Sequence, residues 1–117
     1  MKTDNKVIGR IGEELAWKLL REKGYILIEQ NYSTKWGEMD LICKDNGVLV
    51  FVEVKTKKGL DFGLPEEMFT PGKRGQVKRL ATMYLEGREV KCRIDMVAVV
   101  LGDNNELISI KHYEDVQ

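Results

Sequence analysis

Histidine, cysteine and proline are scarce in this chain: one, two and two among 117 residues. Cys43, Cys92 and the lone His112 cannot assemble a four-ligand zinc site. Both cysteines lie in apolar, strand-like runs and read as small buried hydrophobes of a reducing compartment. Net charge is absent as well, because 19 basic residues balance 19 acidic ones. Attraction to nucleic acid or anionic lipid therefore has to come from local clustering. No apolar run approaches about 18 residues, so no transmembrane helix and no membrane partner are expected. The start, Met1-Lys2-Thr3-Asp4-Asn5-Lys6, leads into a charged helix and not an apolar signal segment. That argues against export and for a cytoplasmic protein. Repeats, low-complexity tracts and linkers are missing too. What remains, 43% apolar and 32% charged, is an ordinary globular mixture whose length suits one domain over residues 1–117.

Apolar residues Val7, Ile8, Ile11, Leu15 and Leu19 recur at helical spacing and predict a helix from about Asn5 to Lys23. Asp4 or Asn5 can cap it, and Gly24 can end it in the left-handed conformation. A short strand, Tyr25 to Asn31, precedes a loop from Tyr32 to Gly37. Strands Glu38–Lys44 and Val48–Lys55 then flank Asn46-Gly47, the strongest short hairpin signal. The second is apolar on both faces until its end, as a covered central strand should be. Thr56 to Gly72 reads as a Gly- and Pro-bearing loop. A helix follows from about Pro71 to Glu86, then strands Arg93–Leu101 and Leu107–His112. The order α-β-β-β-α-β-β predicts an α/β or α+β sandwich around a mixed sheet.

The hairpin turn sets a register that puts Asp40 directly opposite Glu53 on one face, and Glu38 opposite Lys55. Opposed residues have Cβ atoms about 4.5–5.5 Å apart, so two carboxylates there repel unless a shared proton or a cation intervenes. A hard divalent cation is the natural partner, since magnesium commonly takes one or two carboxylates plus waters and substrate phosphate. Lys55 emerges beside Glu53, where it can orient a water and stabilise charge on a phosphate. The bland alternative is a set of solvated strand ends carrying a weak surface ion pair. Glu13 falls at the border of the first helix's apolar face, and Gly9 and Gly12 would allow that helix a close approach.

Together the motifs Gly12-Glu13-Glu14-Leu15-Ala16, Gly24-Tyr25, Asn31-Tyr32, Gly37-Glu38-Met39-Asp40-Leu41-Ile42, Phe51-Val52-Glu53-Val54-Lys55, Lys73-Arg74 and Arg93-Ile94-Asp95 carry a likeness in their order and spacing. The chain resembles the YraN family of predicted endonucleases, which are similar to archaeal Holliday-junction resolvases within the PD-(D/E)xK nuclease superfamily. Met39 stands where that superfamily has the proline of its PD pair. The resemblance implies a restriction-endonuclease-like core, a mixed sheet flanked by helices. It carries metal-binding and catalytic roles onto Asp40, Glu53 and Lys55, and an additional role onto Glu13. The Val54 carbonyl would serve as a third ligand. Fold alone does not fix function.

These readings converge on an Mg²⁺- or Mn²⁺-dependent DNA endonuclease acting on branched or damaged DNA. Lys57, Lys73 and Arg74 would neutralise phosphates, the last two at a helix N-terminus where cations alone are unfavourable and an anion is welcome. Trp36 would either stack on a base or plug the sheet edge. Asp95 would pair with Arg93 or a neighbouring base to shape the site, without being a ligand. The resolvase likeness implies a homodimer. A rival of another class is a nucleic-acid-binding or adaptor module that keeps the scaffold with little or no turnover. Hydrolysis of RNA or nucleotides on the same metal site is a third reading.

Overall fold

The computed structural model describes residues 5–61 and 63–116. Helix α1 (Asn5–Glu22) comes first, followed by β1 (Ile26–Thr34), β2 (Gly37–Asp45) and β3 (Val48–Lys58). A 3₁₀ turn (Pro65–Met68) leads into α2 (Pro71–Leu85), and β4 (Cys92–Leu101) and β5 (Leu107–Tyr113) complete the chain. The element order is the expected α-β-β-β-α-β-β, an α/β fold. The five strands lie in chain order in one mixed sheet, antiparallel except for the parallel pair β3–β4. A parallel neighbour needs a crossover, and α2 provides it. No helix among the described residues is long and apolar enough to cross a membrane.

Each face of the sheet is covered by one helix. On the first, Ile8, Ala16 and Leu20 of α1 pack with Leu41, Val50, Val52, Val54, Val97 and Val99. On the second, Val77, Leu80 and Ala81 of α2 pack with Ile42, Phe51, Ile94, Met96 and Ala98. Strand β3 is buried from Leu49 through Val54, which is why its apolar residues do not alternate with polar ones. Asn46 and Gly47 both take positive φ, 49° and 82°, as the two-residue hairpin turn requires. At the end of α1, Tyr25 N–H donates to the Leu20 carbonyl across Gly24, whose φ is 95°. The candidate cap Asp4 lies outside the described residues.

Four local expectations are corrected. The stretch from Tyr32 to Thr34 is strand, paired through Tyr32–Met39 and Thr34–Gly37, so the expected loop shrinks to a tight turn at Lys35 and Trp36. Thr56 to Lys58 is also strand, because it runs beside Val99–Leu101 of β4, a distant partner that local composition cannot announce. Cys43 is buried, but Cys92 is exposed at the start of β4. Gly12 is the close-approach glycine, since a Cβ there would overlap the Thr56 hydroxyl, whereas Gly9 has open space around it.

Asp95 pairs with Arg93 as expected, yet on the α1 face, opposite to Glu53. It is fully buried and accepts from Arg93 Nε at 3.0 Å, Tyr25 Oη at 2.8 Å and the Asp115 amide at 3.1 Å. His112 Nε2 lies 2.8 Å from Oδ2, the oxygen that also accepts from Tyr25. Because Lys23 Nζ can only donate to His112 Nδ1, Nε2 carries the proton given to Asp95. Burial opposes ionisation of Asp95, but the hydrogen bonds from His112, Arg93, the Asp115 amide and Tyr25 hold it down at about 2. This network ties the α1–β1 connection, β4, β5 and the C-terminal segment together and stands apart from the Asp40–Glu53 pair.

The two α1 glycines should respond with opposite signs to the same change. Gly12→Ala should cost about 1–3 kcal/mol by overpacking against Thr56. Gly9→Ala should gain about 0.5–1 kcal/mol, because alanine suits a helix interior better than glycine. Urea unfolding of the two variants beside the parent checks both.

Candidate active site

Pairing between β2 and β3 follows the turn-dictated register from Asp45–Val48 to Leu41–Val52 and stops there. One residue further along, the alternation of β2 breaks. Leu41 packs on the α1 face and Met39 on the α2 face, although residues two apart in a regular strand share a face. The strands part at Asp40, and its carboxylate replaces a ladder partner by accepting from Val54 N–H at 2.8 Å. In an extended strand the C=O of a residue points the same way as its N–H, so the Val54 carbonyl faces the same gap.

Glu53 is only 2% exposed and lies beside Asp40 in that gap. Burial, hydrogen bonding towards Glu53 and the Glu53 charge all push the Asp40 carboxyl well above the usual range, so it keeps its proton; the Val54 N–H and the Lys55 charge oppose the rise. Lys55 Nζ and Lys73 Nζ stand 3.8 and 3.6 Å from Glu53 Oε2. Those distances give charge balance but not hydrogen bonds, and Oε2 is buried with no hydrogen-bond partner. An unsatisfied buried carboxylate oxygen is costly, which makes the pair a receptor for a ligand with positive charge or a donated proton.

Lys73 comes from the opposite element. Thr70 caps α2 by accepting from the Lys73 N–H, and Pro71 opens the first turn. That turn holds no acid, and its Lys73 side chain finds a counter-charge in Glu53. Arg74, one residue on, has its guanidinium 5.9 Å from the Phe69 ring centroid and is not joined to the carboxylates by any ion pair among the described residues.

Glu13 enters from the α1 face. Partial burial is the main reason its carboxyl is raised to about 7, with Asp40 and Glu38 adding repulsion and Arg10 opposing it. The close approach of α1 at Gly12 fixes its height above the sheet. Asn31 is held at φ 54°, a conformation asparagine tolerates better than most residues; with its amide turned so that nitrogen faces the carboxylates, it donates to Glu13 Oε1 at 2.9 Å and Glu38 Oε1 at 3.0 Å. Glu38 therefore serves this side of the site, next to Ser33 of β1, and does not stand opposite Lys55. Two open clefts flank Glu13. One of about 460 Å³ is lined by Val54, Lys55, Thr56 and Lys57, the other of about 340 Å³ by Arg10, Gln30, Asn31 and Glu38.

Asp40, Glu53, Lys55 and Lys73 thus meet at one gap, with Glu13 at its rim and Lys57 along the adjoining cleft. Trp36 does not plug the sheet edge; it is exposed at the β1–β2 turn. Asn31 and the reach of Lys73 to Glu53 were not foreseen. The asparagine inside the polar end of β1 was the available signal for the first, and no local signal exists for the second. Among the described residues no three His, Cys, Asp or Glu side chains converge as a cation cage. The donor set is two carboxylates and a backbone carbonyl, all oxygens, with one carboxylate oxygen lacking a hydrogen bond. That set fits magnesium or manganese, which complete their shells with water and phosphate.

A family model described as "Uncharacterised protein family UPF0102" matches residues 12–99. A UPF0102 protein of Dictyoglomus turgidum is 34% identical over 91% of this chain and 92% of its own length. Another from Syntrophomonas wolfei is 41% identical over 90% of this chain and 94% of its own. A third, from Chlorobaculum parvum, is 42% identical over 92% and 84%.

Titration of Glu13 should be visible in stability. The folded protein keeps a proton on Glu13 up to about pH 7, whereas the unfolded chain releases it near 4.5. Between those values the native state binds more protons, so stability falls as pH rises. Glu13→Gln in EDTA should match the parent at pH 4.5 and exceed it at pH 8.5 by about 1 kcal/mol, a figure discounted for solvent screening. Urea midpoints across that range provide the check; a variant weaker at every pH would contradict the assignment.

Proposed function

The chain belongs to the UPF0102 family, and from the carboxylate gap we propose that it is a metal-dependent endonuclease hydrolysing phosphodiester bonds in DNA. The resemblance to the PD-(D/E)xK superfamily and its Holliday-junction resolvases supports branched DNA as the substrate class. One observation carries the reading: Glu53 Oε2, buried and without a hydrogen bond, faces two lysines beside a second carboxylate.

Asp40, Glu53 and the Val54 carbonyl would hold Mg²⁺ or Mn²⁺. When bound, the ion would lower the pKa of a water and neutralise charge on the scissile phosphate. Lys55 would orient the attacking water and stabilise negative charge on the phosphate oxygens. Glu13, near half-ionised at neutral pH, would accept the proton that water surrenders. Water adds to phosphorus, one bond from phosphorus to a sugar oxygen breaks, and that oxygen takes a proton from solvent water to leave as a hydroxyl, while Glu13 returns its proton to solvent. Lys73 would release Glu53 to the cation and turn to a phosphate, with Arg74 and Lys57 binding phosphates on either side.

Cleavage of single-stranded, duplex, flap and four-way-junction DNA with Mg²⁺, Mn²⁺ or EDTA tests this. The parent should cut only with metal, and Asp40→Asn, Glu53→Gln and Lys55→Ala should each lose about 100-fold or more. Unchanged cutting by Glu53→Gln would overturn the assignment. DNA binding without cleavage under any metal would favour an adaptor on this scaffold.

A further inference from the structure

Trp36 is 62% exposed. Tryptophan is highly buried on average, and an exposed one on a tight turn needs a reason. The turn is not loose. Trp36 N–H donates to Thr34 Oγ1 at 3.0 Å, and the Trp36 carbonyl accepts from Gln76 Nε2 of α2 at 3.0 Å. Gly37 has φ 141°, and Gln76 fills the space a Cβ there would need. The indole is thereby fixed beside α2, where it lines an open cavity of about 540 Å³ with Arg79, Thr82 and Met83. Lys35 Nζ sits 5.0 Å from the ring centroid.

Within α2 the charge is of one sign, with Glu86 following as its C-cap. Helix α2 carries Lys73, Arg74, Lys78 and Arg79 and no acidic residue, in a chain whose net charge is zero. A second copy seated here through a two-fold axis would set this cationic helix against itself, which charge complementarity disfavours. An anionic polymer that also offers flat aromatic faces fits both the cations and the indole.

We propose that the Trp36–Met83 cavity binds an unpaired nucleobase of the substrate strand by stacking on Trp36, with Lys35 and Arg79 on the flanking phosphates. This rests on the nuclease reading above and deepens it. Arg79 and Met83 lie about 9 and 15 Å along the α2 axis from Lys73, which reaches the carboxylates. That interval matches about three to four stacked nucleotides. Bases inside a continuous duplex are stacked on both faces and cannot enter. The cavity would therefore favour DNA with an unpaired nucleotide a few positions from the cleaved bond, as at a branch, flap or strand end.

Fluorescence anisotropy in EDTA with a short oligothymidylate and with a blunt duplex provides the test, using the parent, Trp36→Ala and Trp36→Phe. Trp36→Ala should weaken oligothymidylate binding by about 10- to 100-fold and duplex binding by no more than about threefold. Trp36→Phe should restore most of the single-strand affinity, which a merely structural role for the side chain would not require. Equal losses on both DNAs, no loss on either, or parent protein that binds neither would overturn the base site. So would a dimer, seen by sedimentation, that Trp36→Ala converts to monomer, because the face would then be an interface between copies. The two readings fail separately. A Trp36 effect without metal-dependent cleavage sinks the nuclease alone, and cleavage without a Trp36 effect sinks the base site alone.

Discussion

The Asp40 carboxylate stands in for a strand partner, and the site depends on that substitution. Antiparallel β2 and β3 run in register to Leu41–Val52, then separate. The next N–H on that side of β3, Val54, would be left without a ladder acceptor, and Asp40 Oδ2 satisfies it at 2.8 Å. One side chain thus ends a hairpin without leaving an orphaned amide and opens a gap in an otherwise closed sheet. Groups from both layers can meet only where the sheet is open. Glu13 approaches from the α1 face and Lys73 from the α2 face.

The gap is electrostatically unfinished. Asp40 holds its proton well above the usual carboxyl range beside Glu53, two lysines hold their distance from Glu53, and Glu53 Oε2 has no hydrogen bond. A surface ion pair would be worth little and would leave nothing behind if lost. A buried acidic pair is different, because desolvation penalises each charge and the proton is what keeps the site tolerable. Replacing that proton with a divalent cation would satisfy the same two carboxylates more completely. The Asp95 network on the opposite face is the contrast: its hydrogen bonds are satisfied by Arg93, Tyr25, His112 and a backbone amide, and its role is to hold β4 and β5.

Local chemistry carried much of this into the sequence. Asn46-Gly47 fixed the hairpin register through Leu41–Val52, one pair short of Asp40 and Glu53, which lie together across the gap and not as ladder partners. The apolar run of β3 announced a strand covered on both sides, and Gly12 announced a close helix. Long-range features were silent. Where β2 and β3 part depends on α1 and α2 packing from either side, so extending the ideal register wrongly set Glu38 across from Lys55. The last three residues of β3 are strand only because β4 lies beside them. Lys73 reached Glu53 through the geometry of a capped helix start, which no spacing in the chain encodes. Trp36 could have been buried or exposed, and only the clasp between its carbonyl and Gln76 decides.

In the proposed function a divalent cation takes the place of the proton that Asp40 keeps beside Glu53. Calorimetric titration of Mn²⁺ into metal-free protein near pH 6.5, repeated in two buffers of different ionisation enthalpy, counts protons released on binding. Exchange of that proton for metal predicts a binding site that expels about one proton per ion and that Glu53→Gln abolishes. Absence of Mn²⁺ binding, or binding of equal strength to Glu53→Gln with no proton released, would contradict it.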